Sequence, residues 1–310
     1  HIVETWGGVY LTTDECKSPS GYVTRSSVED FYKTINEDLK EAFSKLPETT
    51  TDYGRATKGA AEALMARVCL YTGDNEGALT HAKNVINNYG YELAGDYKEL
   101  CDINTCNESK ENIFVCVYDK NEIFGTSIEE GPDGNAIIWR KPGNNPVHLF
   151  WVMCYDQVLD KNGKKPVTRS IEYGRGFNRY MQTAYYLDLF NEKIDSRYDD
   201  IFLQAWICNN NNSSYIAKGD TAIVFTKYSM SQEEQDKHNY IVIDRDKVYN
   251  ADGSIKNSVQ NVTFKKFLDP TRESVNYTGS KRHGVILRLA EMYLIAAVAE
   301  LNMNHKKRRH

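Results

Sequence analysis

No run of apolar residues in this chain of 310 is long enough to cross a bilayer as a helix. There is no CxxC pair and no paired His spacing to complete a zinc site, so none is expected. No GxSxG nucleophile elbow, phosphate-cradling glycine loop or dinucleotide fingerprint occurs, which removes the commonest signatures of esterases, NTPases and nicotinamide enzymes. The net charge of -5 is spread over both signs, so the chain as a whole is not a polyanion binder. Seven cysteines, an odd number, give no complete disulfide framework. Cys69 on a helix face and Cys116 in a strand-like run read as buried free thiols. Cys101 and Cys106 read either as a small disulfide or as half of a metal site. No cofactor is expected, although the Asp- and Asn-rich turns would accommodate a structural calcium.

What is abundant is tyrosine, 21 residues, with 4 tryptophans. Tyr is favoured where a ring must pack and also face water or a polar ligand. The length suffices for a large buried core. No low-complexity segment or linker divides the chain, so residues 1–310 read as one domain. The chain opens on His1-Ile2-Val3-Glu4-Thr5-Trp6 without an initiating Met and closes on Lys306-Lys307-Arg308-Arg309 just past an apolar helix. Both ends read as interior to a longer protein, and the basic run as a solvated end rather than a nucleic-acid site.

Helical signals frame the sequence. Ser27-Val28-Glu29-Asp30 satisfies a capping box, and Val28, Phe31, Ile35, Leu39, Phe43 and Leu46 follow at helical spacing until Pro47. Lys58 to Thr72 is a small-residue helix. Gly73-Asp74 breaks it, and a second helix opens near Glu76 with Ala78, Leu79, Ala82, Val85, Ile86 and Tyr89 on one stripe. Two such helices joined by so short a link pack antiparallel, and alanines on the facing sides let the backbones approach closely. That is a tetratricopeptide-like hairpin. Val285 to Leu301 reads as a further apolar helix whose Ala290-Glu291 matches Ala61-Glu62 of the hairpin. If this marks a repeat, its partner helix follows residue 310. Residues 27–90 and 285–301 thus form a helical frame.

The middle is mixed. Residues 91–111 read as loop and short helix, and Ile113 to Tyr118 as a strand. Helical spacing returns at 181–190 and 195–206; residues 222–228, 240–243 and 262–268 have strand-like composition. Between them, residues 119–180 are rich in Gly, Pro and Asn interleaved with Trp139, Trp151, Tyr155, Tyr173, Phe177 and Tyr180. A long irregular stretch inside a compact domain points to function.

Four blocks resemble the SusD/RagB family of outer-membrane nutrient-binding lipoproteins of Bacteroidetes. They are Ser27 to Pro47 with Ile35-Asn36-Glu37-Asp38-Leu39; Gly54 to Tyr97 ending in Tyr91-Glu92-Leu93 and Asp96-Tyr97; Glu111-Asn112-Ile113-Phe114; and Asp195-Ser196-Arg197-Tyr198 with Leu287-Arg288-Leu289-Ala290-Glu291-Met292-Tyr293-Leu294. They recur in the family's order. Leu294-Ile295-Ala296-Ala297 departs by running into Val298, where the family pattern usually has a Glu. The family's lipidated N-terminal Cys, about its first third and its last helices have no counterpart here.

The resemblance implies a mainly α fold: tetratricopeptide-like helical hairpins on one side and a loop-rich mixed α/β ligand-binding side. It implies a non-enzymatic, lipid-anchored cell-surface protein of the bacterial outer membrane. Such a protein captures oligosaccharide, or in some relatives peptide, and passes it to a SusC-like TonB-dependent barrel transporter.

A sugar binder needs aromatic platforms for the apolar ring faces and polar side chains at the rim. The 119–180 stretch supplies both. Trp139, Trp151, Tyr155 and Tyr173 are the expected platforms, with Asn144, Asn145, Asp156 and Arg175 as hydrogen-bonding partners. Two other readings stay open. One is a helical-repeat scaffold that binds only proteins. The other is a glycan hydrolase using the acids Asp195, Asp199 and Asp200, although Arg197 among them favours a salt-bridged helix start.

Overall fold

The computed structural model describes residues 1–15, 17–18, 21–118, 126–130, 136–140 and 145–307. In chain order the helices are α1 (Ile2–Trp6), α2 (Val28–Lys45), α3 (Lys58–Thr72), α4 (Asn75–Asn88), α5 (Tyr97–Cys101), α6 (Val147–Phe150), α7 (Ala184–Asp188), α8 (Arg197–Ile201), α9 (Gln232–Gln235), α10 (Arg245–Val248) and α11 (Leu289–Lys307). The strands are β1 (Asn112–Cys116), β2 (Thr126–Glu130), β3 (Ala136–Arg140), β4 (Phe202–Leu203), β5 (Ala205–Ile207), β6 (Thr221–Phe225), β7 (Ile241–Ile243), β8 (Thr263–Phe264) and β9 (Gly284–Arg288). The chain divides into two compact units. One comprises His1–Leu93, Lys110–Cys116 and Val285–His310; the other Ala94–Ser109 and Val117–Gly284.

The first unit is helical. Ser27 Oγ accepts from the Asp30 amide at 3.0 Å while the Asp30 carboxylate accepts from the Ser27 amide at 3.3 Å, so the capping box opens α2 where its spacing predicts. Gly73 ends α3 at a φ of 82°, a left-handed cap that costs a glycine little. Asp74 then caps α4 through the Gly77 amide at 2.9 Å. Ala63, Ala66, Ala78, Ala82 and Val85 are fully buried, which seats α3 and α4 side by side as the small-residue pattern requires. Glu62 lies buried between them and takes bonds from His81 Nδ1 at 3.2 Å, Asn84 Nδ2 at 2.8 Å and Tyr89 Oη at 2.6 Å. Burial alone would raise its pKa; the three donors outweigh burial and hold it below the ordinary carboxylate value.

Helix α11 lays Leu289, Met292, Ile295 and Ala299 against α4 and α3. A two-bond fork from Arg67 to Glu291, 2.6 Å at each oxygen, fastens it. The expected helix over 285–301 begins later: Val285 to Arg288 belong to β9, paired with β1. β-branched residues and an open edge on β1 outcompete helix extension there. Cys116, expected buried, is exposed at the end of β1, where the strand's last side chain faces water.

The second unit carries a larger core built on Tyr155, Tyr198, Phe202, Trp206, Phe225 and their neighbours. Its sheets are small: β2 with β3, β4 with β8, and β5-β6-β7 with β5/β6 antiparallel and β6/β7 parallel. The helical spacing of 195–206 holds only for α8. Phe202 and Trp206 then go into β4 and β5, because aromatic residues with a pairing partner stabilise strand. Cys101 and Cys106 are free thiols, not a disulfide. Arg282 donates to Cys106 Sγ at 2.9 Å and to the Cys101 carbonyl at 2.7 Å. Within 119–180, β2 and β3 pair antiparallel, and Tyr155–Gln157 forms a 3-10 turn.

Candidate functional site

The second unit gathers partly exposed rings into one surface. Trp151 lies 5.1 Å from Tyr180 between centroids, 5.5 Å from Phe264 and 6.3 Å from Phe267. Phe150 adds an edge contact to Tyr180 at 5.9 Å and stacks with Phe177 at 6.4 Å. Tyr180 is 54% exposed, and Phe150, Trp151, Phe177, Phe264 and Phe267 are half-buried. A hollow of about 400 Å³ opens among Phe150, Phe177, Arg179 and Tyr180.

Backbone bonds hold these rings in place. Phe177 donates to the Leu149 carbonyl at 3.0 Å. Arg179 and Tyr180 both donate to the Phe150 carbonyl, at 2.8 and 3.1 Å. The segment can lie this close only because residue 176 is glycine: a Cβ there would sit 2.5 Å from the Met153 carbonyl oxygen. Asn178 turns the chain at a positive φ of 48°, which Asn tolerates better than most residues. Its amide donates to the Ser258 carbonyl and its oxygen accepts from Asn261 Nδ2 at 3.1 Å, so both ends are tied.

The rim is cationic. The Arg175 guanidinium stands 5.1 Å from the Phe177 centroid. Lys266 donates to Tyr97 Oη at 3.1 Å and lies 6.0 Å from the Phe267 ring.

The sequence-derived candidates divide. Trp151 and Arg175 fall in this surface. Tyr155 does not: it is fully buried, stacks on Trp206 at 6.4 Å, donates to the Gly174 carbonyl at 2.6 Å and accepts from the Ser170 amide at 3.0 Å. Its ring has no face left for a ligand, so it is a core residue. Tyr173 is buried too, its hydroxyl accepting from the Ile207 amide at 3.0 Å. Asn145 is buried and structural: its amide donates to the Arg282 carbonyl at 2.9 Å and its oxygen accepts from the Val147 amide at 3.1 Å. Asp156 pairs with Arg169 at 2.8 Å. Trp139 sits opposite Ser127 in the β2/β3 register, and its side chain lies outside the described residues, as does Asn144.

Sequence reasoning did not select Phe150, Phe177, Arg179 and Tyr180 for the site. The pattern Arg175-Gly-Phe177-Asn-Arg179-Tyr180 carried the signal, since a short run that interleaves rings and cations offers both at once. Burial of the two tyrosines could not be read without the core that covers them.

A second hollow, about 390 Å³, is lined by Leu203, Leu268, Pro270, Lys98, Asp200 and Glu172, among others. Tyr173 is its one aromatic, and it is buried. It therefore offers no open ring face. Of the acids weighed for hydrolysis, Asp195 takes a two-bond fork from Arg197 at 2.8 and 2.7 Å and Asp199 accepts from Gln204 at 2.9 Å, while Asp200 lines this second hollow. The Arg197 bonds outweigh burial and hold Asp195 below the ordinary carboxylate range. Among the described residues, no group of three or more His, Cys, Asp or Glu is placed to hold a metal ion.

Residues 1–70 match a SusD-like family described as starch-binding and associating with the outer membrane. The chain is 31% identical over 125 residues to SusD-like protein P2 of Formosa agariphila, a match covering 38% of this chain and 24% of that protein. Among solved structures it is similar to one determined with a xylogluco-oligosaccharide (21% identity, TM-score 0.59, covering 97% of this chain and 51% of that one). It is similar also to a laminarin-binding SusD-like protein (19%, 0.57, 96% and 56%). A third is a SusD superfamily protein from Parabacteroides distasonis (18%, 0.58, 98% and 53%). At these identities the likeness is one of fold, and the chain spans about half the length of these structures.

Proposed function

We propose that this chain, a member of the SusD/RagB family, binds oligosaccharide on the ring surface around Trp151 and Tyr180. The observation that carries this reading is the contiguous set of partly exposed aromatic rings beside a hollow with a cationic rim. Sugar rings present flat apolar faces that stack on such rings, and their hydroxyls accept from guanidinium groups. Fold likeness to a protein solved with a xylogluco-oligosaccharide and to one named as laminarin-binding supports the same class of ligand.

The finer reading follows from the family. The α3/α4 hairpin with α11 against it serves as a tetratricopeptide-like frame. The chain belongs to a lipid-anchored protein at the cell surface that takes up glycan, or peptide, without turning it over. It delivers the ligand to a TonB-dependent barrel transporter. Attachment in this reading is through a lipid anchor, as in the family; among the described residues no helix is long and apolar enough to cross a membrane. No calcium or other cofactor is invoked.

The runner-up, a scaffold that binds only proteins, draws on exposed Leu294, Val298 and Leu301 along one side of α11. Titration calorimetry and tryptophan fluorescence against a broad panel of oligosaccharides separate the two. Quenching by a glycan that Trp151→Ala abolishes is the expected outcome. A flat response across the panel leaves the scaffold reading in possession. Release of reducing ends from any glycan, lost on removing one carboxylate, would instead reinstate hydrolysis.

A further inference from the structure

The arginines of this protein divide sharply. Arg25, Arg272 and Arg282 donate to carbonyl oxygens. Arg55, Arg67, Arg169, Arg197, Arg245 and Arg288 pair with carboxylates. Among the arginines whose side chains are described, Arg175 and Arg179 alone have no acceptor, and both sit beside Phe177 at the ring surface. A chain with a net charge of -5 has carboxylates to spare, yet none is placed on these two. A planar guanidinium fork held beside a hollow and left unneutralised matches a carboxylate, sulfate or similar oxyanion.

We infer that the ring surface selects acidic oligosaccharides, with Arg175 and Arg179 taking the anionic group while Trp151, Tyr180, Phe150 and Phe177 take the apolar sugar faces. This rests on the ring-surface reading above and narrows its ligand class. Arg175 is held over the Phe177 ring and so presents its charge at a set place. The hollow that Arg179 lines with Phe150, Phe177 and Tyr180, about 400 Å³, admits a sugar unit carrying its acid group. The partly apolar floor lowers the local dielectric and lengthens the reach of both charges.

The test compares three probes of equal length by calorimetry: an uncharged laminari-oligosaccharide, a uronate oligomer bearing carboxylates, and a sulfated galactan oligomer. Charged hydrogen bonds predict that one or both acidic probes bind at least ~10-fold tighter than the uncharged one at low salt. That preference should shrink as ionic strength rises toward physiological. Which acidic probe leads decides between carboxylate and sulfate.

The double variant Arg175→Gln/Arg179→Gln should lose the preference, its affinities for the acidic and uncharged probes converging to within about twofold of each other. Its near-ultraviolet circular dichroism and melting temperature check that it is folded. Should folding suffer, the single variants, each expected to lose part of the preference, take its place. Equal affinity for charged and uncharged probes overturns the inference and leaves the ring-surface reading standing. Retention of the preference in the folded double variant overturns the assignment to these arginines. Tighter binding of a single-stranded oligonucleotide than of any glycan overturns the ligand class. Failure of all glycans, charged or not, brings down the ring-surface reading and the inference with it.

Discussion

Tyr180→Ala gives the most direct measure of the ring surface, because the side chain is already 54% exposed and its loss should leave the fold intact. Covering one face of the phenol ring takes on the order of 50 Å² of apolar surface out of water, and the sugar face gives up a similar area. At ~25 cal/mol per Å² that is about 2.5 kcal/mol gross. Ordering the ring and the ligand returns roughly 1 kcal/mol. About 1.5 kcal/mol remains, or near tenfold in Kd. The folded state loses the contacts of Tyr180 with Trp151 at 5.1 Å and Phe150 at 5.9 Å. Such ring pairs contribute about 0.5–1.5 kcal/mol each at most and less at a surface, so melting should shift by only a few degrees. Tyr180→Phe keeps the face and removes the hydroxyl, and should retain most of the affinity. Calorimetry with a bound oligosaccharide supplies Kd, and Trp151 fluorescence reports occupancy from the adjacent ring. Unchanged affinity in Tyr180→Ala, within about twofold, would refute the stacking argument.

Three further outcomes follow from the packing. Gly176→Ala pushes a methyl into the Met153 carbonyl 2.5 Å away, so the 175–180 segment must lift. Denaturant unfolding should show a loss of about 1–3 kcal/mol, and glycan titration a weaker Kd. Glu62→Gln puts an amide in place of a carboxylate that accepts three hydrogen bonds, and should cost about 1–3 kcal/mol near neutral pH. The folded pKa of Glu62 is depressed, so its contribution is present above its unfolded pKa near 4.5 and disappears as pH falls through the folded value. Stability measured against pH in Glu62→Gln should therefore flatten below about pH 4.5; an unchanged acid slope would discount the network. Tyr155→Phe unpairs the Gly174 carbonyl and the Ser170 amide and should lose about 1–3 kcal/mol of stability. Glycan affinity should stay within about twofold of the parent, as expected of a core residue.

The helical frame was legible in the sequence because its signals are local. Ser27 and Asp30 cap α2 from three residues apart, and Gly73-Asp74 closes one helix and opens the next. Alanines at helical spacing imply a close-packed neighbour whatever the rest of the chain does. The strands at 285–288 and 202–207 read as helix in the sequence because their pairing partners, β1, β8 and β6, lie beyond the few residues over which local spacing speaks. The region of the site was legible too, as a Tyr- and Trp-bearing irregular stretch, but its members were not. Trp151 and Tyr155 are four residues apart and look alike in sequence. One forms part of an open surface, and the other is sealed beneath Trp206.

Residue order alone determined the caps, the breaks and the alanine seam, since each depends on groups within one or two turns of helix. Tertiary structure decided which rings meet solvent and which arginines stay unpaired. Both depend on distant segments, such as 202–207 and 258–267, arriving to cover some side chains and leave others bare. Exposure is a property of what packs around a residue, and a neighbour a hundred positions away leaves no trace in local spacing.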